Sequence, residues 1–510
     1  MLETIRPQHA ERVLPSERAT RQLAADVAAI LKPGDTVALG GDLGAGKTTF
    51  ARALIRYMAD DETIEVPSPT FTLVQHYDLL RARIAHIDLF RIGDPSEVGA
   101  LGLADLDDDS ILLIEWPERA DTALPEDRIE INFTLATDIG PQARRVSIVG
   151  YGAPAKRAEH VANFLGFIDD AGFGAAERIR MQGDASTRIY ERLLEPARSA
   201  ILMNAPRRPD GPPVQNGLPY SAIAHLAEDV TPFVAMARGL RQRGFSAPEI
   251  FAADLSEGLL ILEDLGTEPV VAGHPPAAIG ERYAAAVDTL AALHREALPD
   301  TLPVAPRVTY QLPAYDKAAL LIEVDLLLHW YFPQQKAVLS DDARAEFRGL
   351  WRDALDAAVQ ARPTWVMRDY HSPNLLWLPQ RAGVARVGLL DFQDAVMGPD
   401  AYDVVSLLQD ARVDVAESLE ESLISAYIKA RRAADRDFDM AQFISLYGLM
   451  GAQRATKILG IFARLDRRDG KPQYIRHQPR VWRNLRRALA HPALRPLKSW
   501  YEAHVPAPRG

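Results

Sequence analysis

Cysteine is absent from the 510 residues of the sequence, which excludes disulfide bonds, thiolate metal sites and cysteine nucleophiles. No apolar run approaches the roughly 20 residues that a membrane-spanning helix needs. Residues 1–14 contain no apolar segment of the kind found in secretory leaders. From these absences we expect a cytoplasmic protein that does not associate with a membrane.

The composition is that of a globular protein, with 47% hydrophobic and 25% charged residues. A chain of 510 residues exceeds the size of one ordinary core and predicts two to four domains. Charge is unevenly spread, because residues 1–150 hold 15 Lys and Arg against 25 Asp and Glu. Nucleic-acid binding depends on neutralising phosphates with Lys and Arg, so we do not expect this acidic part to bind nucleic acid unaided.

Residues 41–48 form a phosphate-binding loop between an apolar run at residues 36–39 and a helical pattern at residues 48–58. Glycines let backbone N–H groups turn toward phosphate oxygens, and the helix N-terminus adds its dipole. Lys47 is expected to reach the β- and γ-phosphates of ATP, and the Thr48 hydroxyl to ligate magnesium. The nucleotide-binding residues predicted here are Gly41, Asp42, Gly44, Ala45, Gly46, Lys47, Thr48 and Thr49.

Two carboxylates, Asp88 and Glu115, each follow an apolar run farther along the chain. A carboxylate at the carboxyl end of a strand can hold magnesium or orient the attacking water. An exposed carboxylate at a strand end is the alternative interpretation of each. Residues 66–72, which include Thr70, are interpreted either as a loop that senses the γ-phosphate or as a plain proline-rich connection.

Four segments of this region occur in the order found in one bacterial family. They are Gly-Asp-Leu-Gly-Ala-Gly-Lys-Thr-Thr (41–49), Ser-Pro-Thr-Phe-Thr-Leu (68–73), His-Ile-Asp-Leu-Phe-Arg (86–91) and Glu-Trp-Pro-Glu-Arg (115–119). Residues 15–150 therefore resemble the TsaE ATPases, which support the formation of threonylcarbamoyladenosine on tRNA.

The resemblance to the TsaE ATPases implies roles for particular residues. It implies that Thr48 and Glu115 bind magnesium, and that Asp88 and Thr70 belong to the hydrolytic machinery. It also implies that the ATPase docks onto the proteins of the threonylcarbamoyl-transfer complex and meets tRNA only indirectly.

A second motif, Arg-Asp-Tyr-His-Ser-Pro-Asn at residues 368–374, is followed by Asp391 at the end of an apolar run. Phosphoryl transfer to a hydroxyl requires a carboxylate near the acceptor and ligands for magnesium. Asp369 is placed for the first task, and Asn374 and Asp391 for the second. A chance arrangement of polar loop residues is the alternative.

Two further segments suit the ATP side of such a site. Residues 183–188 would cover the phosphates through Gly183, Ser186 and Arg188, although a simple hairpin turn fits the same residues. Residues 262–266 fall where the hinge between two kinase lobes is expected, and the backbone of Glu263 and Leu265 could meet adenine. Asp403 is interpreted as a structural anchor for the catalytic loop.

These features resemble the aminoglycoside phosphotransferase superfamily and, within it, the bacterial anomeric N-acetylmuramate/N-acetylglucosamine kinases of cell-wall recycling. The matching segments are Gln-Gly-Asp-Ala-Ser-Thr-Arg-Ile-Tyr (182–190), Leu-Glu-Asp-Leu-Gly (262–266), Arg-Asp-Tyr-His-Ser-Pro-Asn-Leu-Leu (368–376), Leu-Leu-Asp-Phe-Gln-Asp-Ala (389–395) and the segment 451–462. The resemblance covers residues 160–505 and implies ATP-dependent phosphorylation of the C1 hydroxyl of the sugar.

The sequence departs from the superfamily at two positions. Met367 stands two residues before the catalytic Asp, where a His is usual, and His371 stands two residues after it. His371 either orders the loop or is an ordinary exposed histidine. Met203 lies in the strand that usually carries a lysine for ATP, so the phosphates must be met by magnesium, by backbone or by an arginine such as Arg188.

Three basic residues near the C-terminus have almost helical spacing. Arg454, Lys457 and Arg464 could bind the carboxylate of N-acetylmuramate, and a solvated helix face is the alternative.

The predicted fold is an α/β P-loop NTPase domain followed by an α+β bilobal protein-kinase-like domain of the aminoglycoside phosphotransferase type. The predicted boundaries are 1–150 for the ATPase domain, 151–158 for a linker, 159–274 for the kinase N-lobe and 275–510 for the helical C-lobe.

The sequence thus predicts a bifunctional enzyme that uses ATP and Mg²⁺, with an ATPase of tRNA-modification type and an amino-sugar kinase. Two alternatives remain open. The kinase acceptor could be an aminoglycoside, a choline-like alcohol or another sugar. The first module could be a nucleotide-gated binding partner instead of an autonomous ATPase.

Overall fold

The protein is described by a computed structural model that covers residues 10–79, 82–94, 97–98, 109–120, 123–181, 188–207 and 211–508. The chain divides into two compact units, Met1–Met203 and Asn204–Gly510. No helix within the covered ranges combines the length and the apolar character needed to cross a membrane.

A seven-stranded sheet organises the first unit, with the spatial order β1-β7-β6-β2-β5-β4-β3. The strands are β1 Ala10–Leu14, β2 Thr36–Gly41, β3 Val74–Asp78, β4 Arg83–Asp88, β5 Ser110–Glu115, β6 Arg128–Leu135 and β7 Arg144–Tyr151. Strand β2 pairs in parallel with β5 and β6, and β5 pairs in parallel with β4. The register sets Asp88 of β4 opposite Glu115 of β5. The two carboxylates that the sequence singles out therefore lie side by side at the carboxyl ends of two neighbouring parallel strands.

Three helices belong to the first unit: α1 Glu17–Ala28, α2 Lys47–Ala59 and α3 Ala155–Asp170. The hydroxyl of Ser16 caps α1 by accepting the N–H of Ala19. The helix predicted at residues 48–58 is confirmed as α2. The apolar runs at residues 36–39 and before Asp88 and Glu115 form strands β2, β4 and β5. Strands β1 and β3 were not predicted.

The core of this unit lies on both sides of the central strands. Leu39, Phe50, Leu54, Ile114 and Phe133 are all fully buried. Strands covered on both faces read as continuous apolar runs, which is why β2 and β5 stand out in the sequence. Burying each such side chain stabilises the fold by about 1.5–3 kcal/mol.

Three more strands complete the first unit: β8 Glu177–Arg180, β9 Ile189–Glu195 and β10 Arg198–Asn204. Strands β8 and β9 pair as an antiparallel hairpin. The Arg178 side chain of β8 is only 7% exposed, and its guanidinium donates to both oxygens of Asp26 on α1, at 2.6 and 2.7 Å. Its Nε donates to Glu191 of β9 at 2.6 Å. One side chain thus joins the hairpin to helix α1 through an ion pair that is almost buried.

The second unit is mainly helical. Its longer helices are α4 Thr231–Gln242, α5 Gly280–Leu293, α6 Lys317–Leu326, α7 Asp341–Ala354, α8 Ala401–Leu408, α9 Glu417–Ala434, α10 Met440–Arg467, α11 Gln478–Leu489 and α12 Arg495–His504. This confirms the helical character predicted for the chain beyond residue 275.

Short strand pairs interrupt the helices of the second unit. The strands are β11 Pro213–Gln215, β12 Leu218–Pro219, β13 Ile250–Asp254, β14 Leu259–Glu263, β15 Val271–Ala272, β16 Ala277–Ala278, β17 Thr301–Ala305, β18 Val308–Gln311, β19 Pro363–Val366, β20 Leu375–Trp377, β21 Val387–Leu389 and β22 Val396–Pro399. The hairpin of β17 and β18 was not predicted. Strands β19, β20 and β21 frame the second motif, because Asp369 and Asn374 lie between β19 and β20, and Asp391 follows β21.

The Arg178–Asp26 pair leads to a stability prediction. Replacing Arg178 with Met leaves a buried carboxylate without its partner, a change that typically costs about 3–5 kcal/mol. For a unit of this size we expect the thermal transition of the first unit to fall by at least about 6 °C in a calorimetric scan of the full chain.

The matched control for this prediction is Arg21→Met. Arg21 pairs with Glu17 on the exposed face of α1, where the two side chains are 55% and 54% accessible. Such surface pairs contribute little to the free energy of unfolding, so the control should have the same thermal transition temperature as the wild type. Equal melting of both variants would contradict the structural role of Arg178.

Candidate active sites

The phosphate-binding loop of the first unit depends on glycine. Gly41, Gly44 and Gly46 have φ angles of 121°, 76° and 114°, a region that residues with a side chain rarely adopt. A Cβ atom on Gly41 would lie 2.1 Å from the carbonyl oxygen of Phe133, whereas one on Gly44 would meet nothing within 4 Å. The loop is thus packed tightly against β6 at its base and open at its tip, as a cradle for phosphate requires.

Lys47 lies inside this loop at the start of α2. Its Nζ donates to the carbonyl oxygens of Gly41 and Asp42 at 2.6 and 2.9 Å and lies 3.5 Å from the centre of the Trp116 ring. Burial lowers the pKa of the Lys47 ammonium below its ordinary value, while the charge of Glu115 acts in the opposite direction. The ammonium is therefore held inside the phosphate-binding loop by the carbonyl oxygens of the loop itself.

Thr48, at the start of α2, contacts Glu115 at the carboxyl end of β5. The Thr48 hydroxyl donates to Oε2 of Glu115 at 2.8 Å, and the second carboxylate oxygen, Oε1, lies 3.0 Å from Nε2 of His86. Glu115 and His86 are both buried. A hydroxyl and a carboxylate oxygen in contact fit the oxygen ligands that magnesium prefers.

Asp88 is surrounded by hydroxyl groups. Its Oδ2 accepts hydrogen bonds from Ser68 and Thr70, both at 2.8 Å, and its Oδ1 accepts the N–H of Phe90 at 2.9 Å. Asp88 and Glu115 are 3% and 1% exposed, so the alternative of exposed strand-end carboxylates is wrong. The segment that carries Thr70 is tied to the carboxylate, which favours its interpretation as part of the site.

The remaining residues predicted for nucleotide binding lie in the same place. Ala45 is fully buried, and Thr49 lies in the first turn of α2. Sequence reasoning missed Arg144, whose Nε donates to the carbonyl oxygen of Ala45 at 2.8 Å and whose Nη2 donates to that of Gly44 at 3.2 Å. Arg144 lies 99 residues beyond Ala45, and no local pattern marks it.

His86 was also missed, although its position carries a signal. It lies in the buried strand β4 between apolar neighbours. A polar side chain in such a place needs a partner, and Glu115 supplies it.

In the second unit, Asp403 holds the catalytic loop. Its carboxylate accepts the backbone N–H of Met367 at 2.6 Å and that of Arg368 at 3.0 Å. Asp403 is fully buried, and burial raises its pKa to about 7. The anchoring role predicted for Asp403 is confirmed. Arg368 has a φ of 66°, a strained conformation that these two hydrogen bonds help to maintain.

Asp369, Asn374 and Asp391 lie side by side around this loop. Nδ2 of Asn374 donates to the carbonyl oxygen of Asp369 at 3.0 Å and lies 3.4 Å from Oδ2 of Asp391. Gln393 donates to Oδ1 of Asp391 at 2.8 Å. The Asp369 side chain is 38% exposed. Because the Asn374 amide nitrogen is engaged, its amide oxygen is the atom that can face a cation beside Asp391.

His371 lies behind the catalytic aspartate. It is buried, which makes the alternative of an exposed loop histidine wrong, and its Nε2 is 3.8 Å from Oδ1 of Asp369. Burial lowers the pKa of His371 to about 4, so the ring is neutral at pH 7. Burial also opposes ionisation of Asp369, but the surrounding positive charges outweigh it and the pKa of Asp369 lies below its ordinary value.

The residues predicted on the ATP side are only partly described. Gly183 and Ser186 lie outside the described residues, and Arg188 lies immediately before β9. The Glu263 carboxylate is engaged with Arg381 and, at 3.2 Å, with Arg241. This leaves the backbone after β14, including the buried Leu265, for any contact with adenine.

Glu323 of α6 is a further residue that sequence reasoning missed. It is fully buried and accepts hydrogen bonds from Arg368, from Lys457 at 2.8 Å and from Gln453 at 2.9 Å. Burial raises its pKa, but the charges of Lys457 and Arg368 outweigh burial and bring it to about 2. Lys457 is thus committed to a protein carboxylate.

The solvated-face alternative is wrong for two of the three basic residues of α10. Arg454 is 5% and Lys457 is 9% exposed. Arg464 is partly exposed and lines a cavity of about 1020 Å³ together with Tyr220 and Trp330.

Comparison with known families gives two matches along the chain. The family model "Threonylcarbamoyl adenosine biosynthesis protein TsaE" matches residues 14–145. The model "Phosphotransferase enzyme family" matches residues 177–439. These matches confirm the predicted fold class, a P-loop ATPase domain followed by a kinase-like domain of the aminoglycoside phosphotransferase type.

Individual relatives agree with both matches. An N-acetylmuramate/N-acetylglucosamine kinase of Caulobacter vibrioides is 40% identical over 68% of this chain and 98% of its own length. Its counterpart in Pseudomonas aeruginosa is 34% identical over 62% of this chain and 84% of its own length. A TsaE protein of Rickettsia bellii is 41% identical over 26% of this chain and 90% of its own length.

The geometry of the two sites and these matches agree on an ATP-dependent phosphotransferase joined to an ATPase. The chain belongs to the TsaE family over its N-terminal part and to the phosphotransferase enzyme family, together with the N-acetylmuramate/N-acetylglucosamine kinases, over its C-terminal part.

Proposed function

We propose that the C-terminal part transfers the γ-phosphoryl group of ATP to the C1 hydroxyl of N-acetylmuramate or N-acetylglucosamine. The observation that carries this function is the grouping of Asp369, Asn374 and Asp391 around a loop that Asp403 holds. The acceptor is inferred from relatives of 40% and 34% identity that are named as kinases of these two sugars.

In the proposed reaction, the Asp369 carboxylate accepts the proton of the C1 hydroxyl as its oxygen attacks the γ-phosphorus of ATP. A bond forms between that oxygen and phosphorus, and the bond to the β,γ-bridging oxygen breaks, so ADP leaves. The lowered pKa of Asp369 keeps the carboxylate ionised at neutral pH. His371 is buried and its pKa is lowered to about 4, so its ring is a weak base with little access to a sugar. The Asp369 side chain is partly exposed, at 38%, so a sugar hydroxyl can reach its carboxylate.

Asn374 and Asp391 would hold magnesium in this site through an amide oxygen and a carboxylate. Bound magnesium would supply positive charge for the phosphate oxygens during transfer. The Gln393 side chain fixes one oxygen of Asp391 and thereby the direction of the other.

For the N-terminal part we propose a magnesium-dependent ATPase that supports formation of threonylcarbamoyladenosine on tRNA. Lys47 would contact the phosphates of ATP, and Thr48 and Glu115 would hold magnesium. Asp88, with Thr70 and Ser68 as its hydrogen-bond partners, would orient the attacking water. Proteins of the threonylcarbamoyl-transfer complex would be its partners, with tRNA contacted only through them.

The domain boundaries and the nucleotide contacts of the kinase part belong to the same proposal. The ATPase domain would span residues 1–150 and the linker 151–158, followed by the kinase N-lobe at 159–274 and the C-lobe at 275–510. In the kinase part, Gly183, Ser186 and Arg188 would meet the phosphates, and the backbone of Glu263 and Leu265 would meet adenine. The protein would act in the cytoplasm.

The kinase function is tested by incubating the full chain with Mg-ATP and a panel of N-acetylmuramate, N-acetylglucosamine, glucosamine, choline and kanamycin. Mass spectrometry should detect an acid-labile phosphate on the two N-acetyl sugars. Asp369→Asn should lower the rate by about 10²- to 10⁴-fold, because the amide cannot accept the proton.

Lys47→Ala is the matched control for the sugar kinase, since it changes only the first site. It should phosphorylate the N-acetyl sugars at the wild-type rate. Phosphorylation of choline or kanamycin in preference to the N-acetyl sugars would replace the proposed acceptor with one of the alternatives.

The ATPase function is tested in cells whose threonylcarbamoyladenosine depends on this chain. Lys47→Ala should lower the modification in total tRNA at least tenfold, as measured by nucleoside mass spectrometry, because phosphate contacts in the loop are lost. Asp369→Asn should leave it unchanged. Normal modification with Lys47→Ala would contradict the proposal.

ATP hydrolysis by the purified chain without sugar separates the two interpretations of the first module. An autonomous ATPase hydrolyses ATP alone, and Lys47→Ala lowers the rate of hydrolysis to the part that the kinase site contributes. A nucleotide-gated binding partner instead shows ATP-dependent capture of the threonylcarbamoyl-transfer proteins with little hydrolysis.

A further inference from the structure

Arg454 is a buried charge in the kinase part that the proposed reaction has not used. It lies in α10, is 5% exposed, and has a buried Nε without a hydrogen-bond partner among the described residues. No carboxylate in the described part of the chain forms an ion pair with it. A guanidinium removed from water is costly unless an anion compensates it.

The position of Arg454 is set by helix packing behind the catalytic loop. Its Cζ lies 5.9 Å from the centre of the Tyr402 ring, and Tyr402 precedes Asp403, the residue that holds the loop. Helix α10 packs against α8, the helix that carries Asp403 and thereby holds the loop with Asp369. The buried guanidinium therefore lies next to the element that positions the catalytic carboxylate.

Lys457, one turn farther along α10, is a buried cation that does have a carboxylate partner. Its Nζ donates to Glu323 at 2.8 Å and lies 3.4 Å from the Tyr402 hydroxyl. Arg368 donates to the same carboxylate. Two of the three buried cations around the loop are thus paired with Glu323, whereas Arg454 has no such partner among the described residues.

We propose that Arg454 binds an oxyanion of the reactants at Asp369 and is a substrate-binding residue of the kinase. This inference rests on the proposed sugar kinase function. Two oxyanions meet at that point, the carboxylate of N-acetylmuramate and the oxygens of the phosphoryl group in transfer. A guanidinium with several N–H donors suits either of them, since both are planar or branched arrays of oxygens.

The choice of sugar distinguishes the two candidate oxyanions, because N-acetylmuramate has a carboxylate and N-acetylglucosamine has none. We would measure kcat and KM for both sugars with the wild type and with Arg454→Gln. If the ligand is the sugar carboxylate, KM for N-acetylmuramate rises at least tenfold and N-acetylglucosamine is unaffected. If the ligand is the phosphoryl group, kcat falls at least tenfold with both sugars. Values within twofold of the wild type for both sugars overturn the proposal.

Two further variants exclude a merely structural effect. Arg467→Met removes an exposed arginine of the same helix and should behave as the wild type. Arg454→Lys restores the charge without the paired donors and should recover part of the lost activity. If Arg454→Gln shows no cooperative thermal transition, the same measurements are made with Arg454→Lys instead. Wild-type kcat and KM of Arg454→Lys for both sugars would then overturn the proposal.

A failure of the sugar kinase function is recognised separately. If the wild type phosphorylates neither sugar, acceptor-free ATP hydrolysis in the Lys47→Ala chain reports on the second site. A tenfold lower rate on adding Arg454→Gln supports contact with the phosphoryl group. An unchanged rate overturns it.

Discussion

The second unit depends on one constraint, that the fully buried Glu323 carboxylate must be neutralised. Its partners come from two separate segments: Arg368 from the catalytic loop, and Lys457 and Gln453 from α10. Removing one member of such a group typically costs about 3–5 kcal/mol, since a buried charge is left behind. Glu323 therefore holds the side chain of Arg368, the residue before the catalytic Asp369, while Asp403 accepts the backbone N–H of Arg368. The loop geometry is determined by these carboxylates rather than by its own sequence.

The first unit uses a buried carboxylate in a related way. Glu115 has one oxygen in contact with Thr48 and the other in contact with His86. The parallel register of β4 and β5 brings Asp88 alongside, where hydroxyl groups from the preceding loop hold it. Two carboxylates next to each other repel, and separate sets of hydrogen-bond donors allow both to remain buried in one site.

Local chemistry explains which parts could be predicted from the sequence. The glycine loop and the Asp369–Asn374 motif are each contiguous in sequence, so their function follows from short-range geometry. The apolar runs before Asp88 and Glu115 likewise indicated β4 and β5. Arg144 and Glu323 act across long separations, 99 residues to Ala45 and 134 residues to Lys457. A single sequence carries no record of such pairings. The edge strands β1 and β3 were missed because strands exposed on one side lack a continuous apolar run.

The charges of α10 show why spacing alone could not assign their roles. Arg454 and Lys457 lie three residues apart and therefore on one face of the helix, which made them equally plausible as surface residues or ligands of a sugar. Both are buried, yet only Lys457 has a carboxylate partner among the described residues. The difference arises because Glu323 of α6 forms ion pairs with Lys457 and Arg368, whereas Arg454 has no ion-pair partner among the described residues. A buried guanidinium without such a partner is stabilised when an anion binds beside it, and that gain favours the bound state.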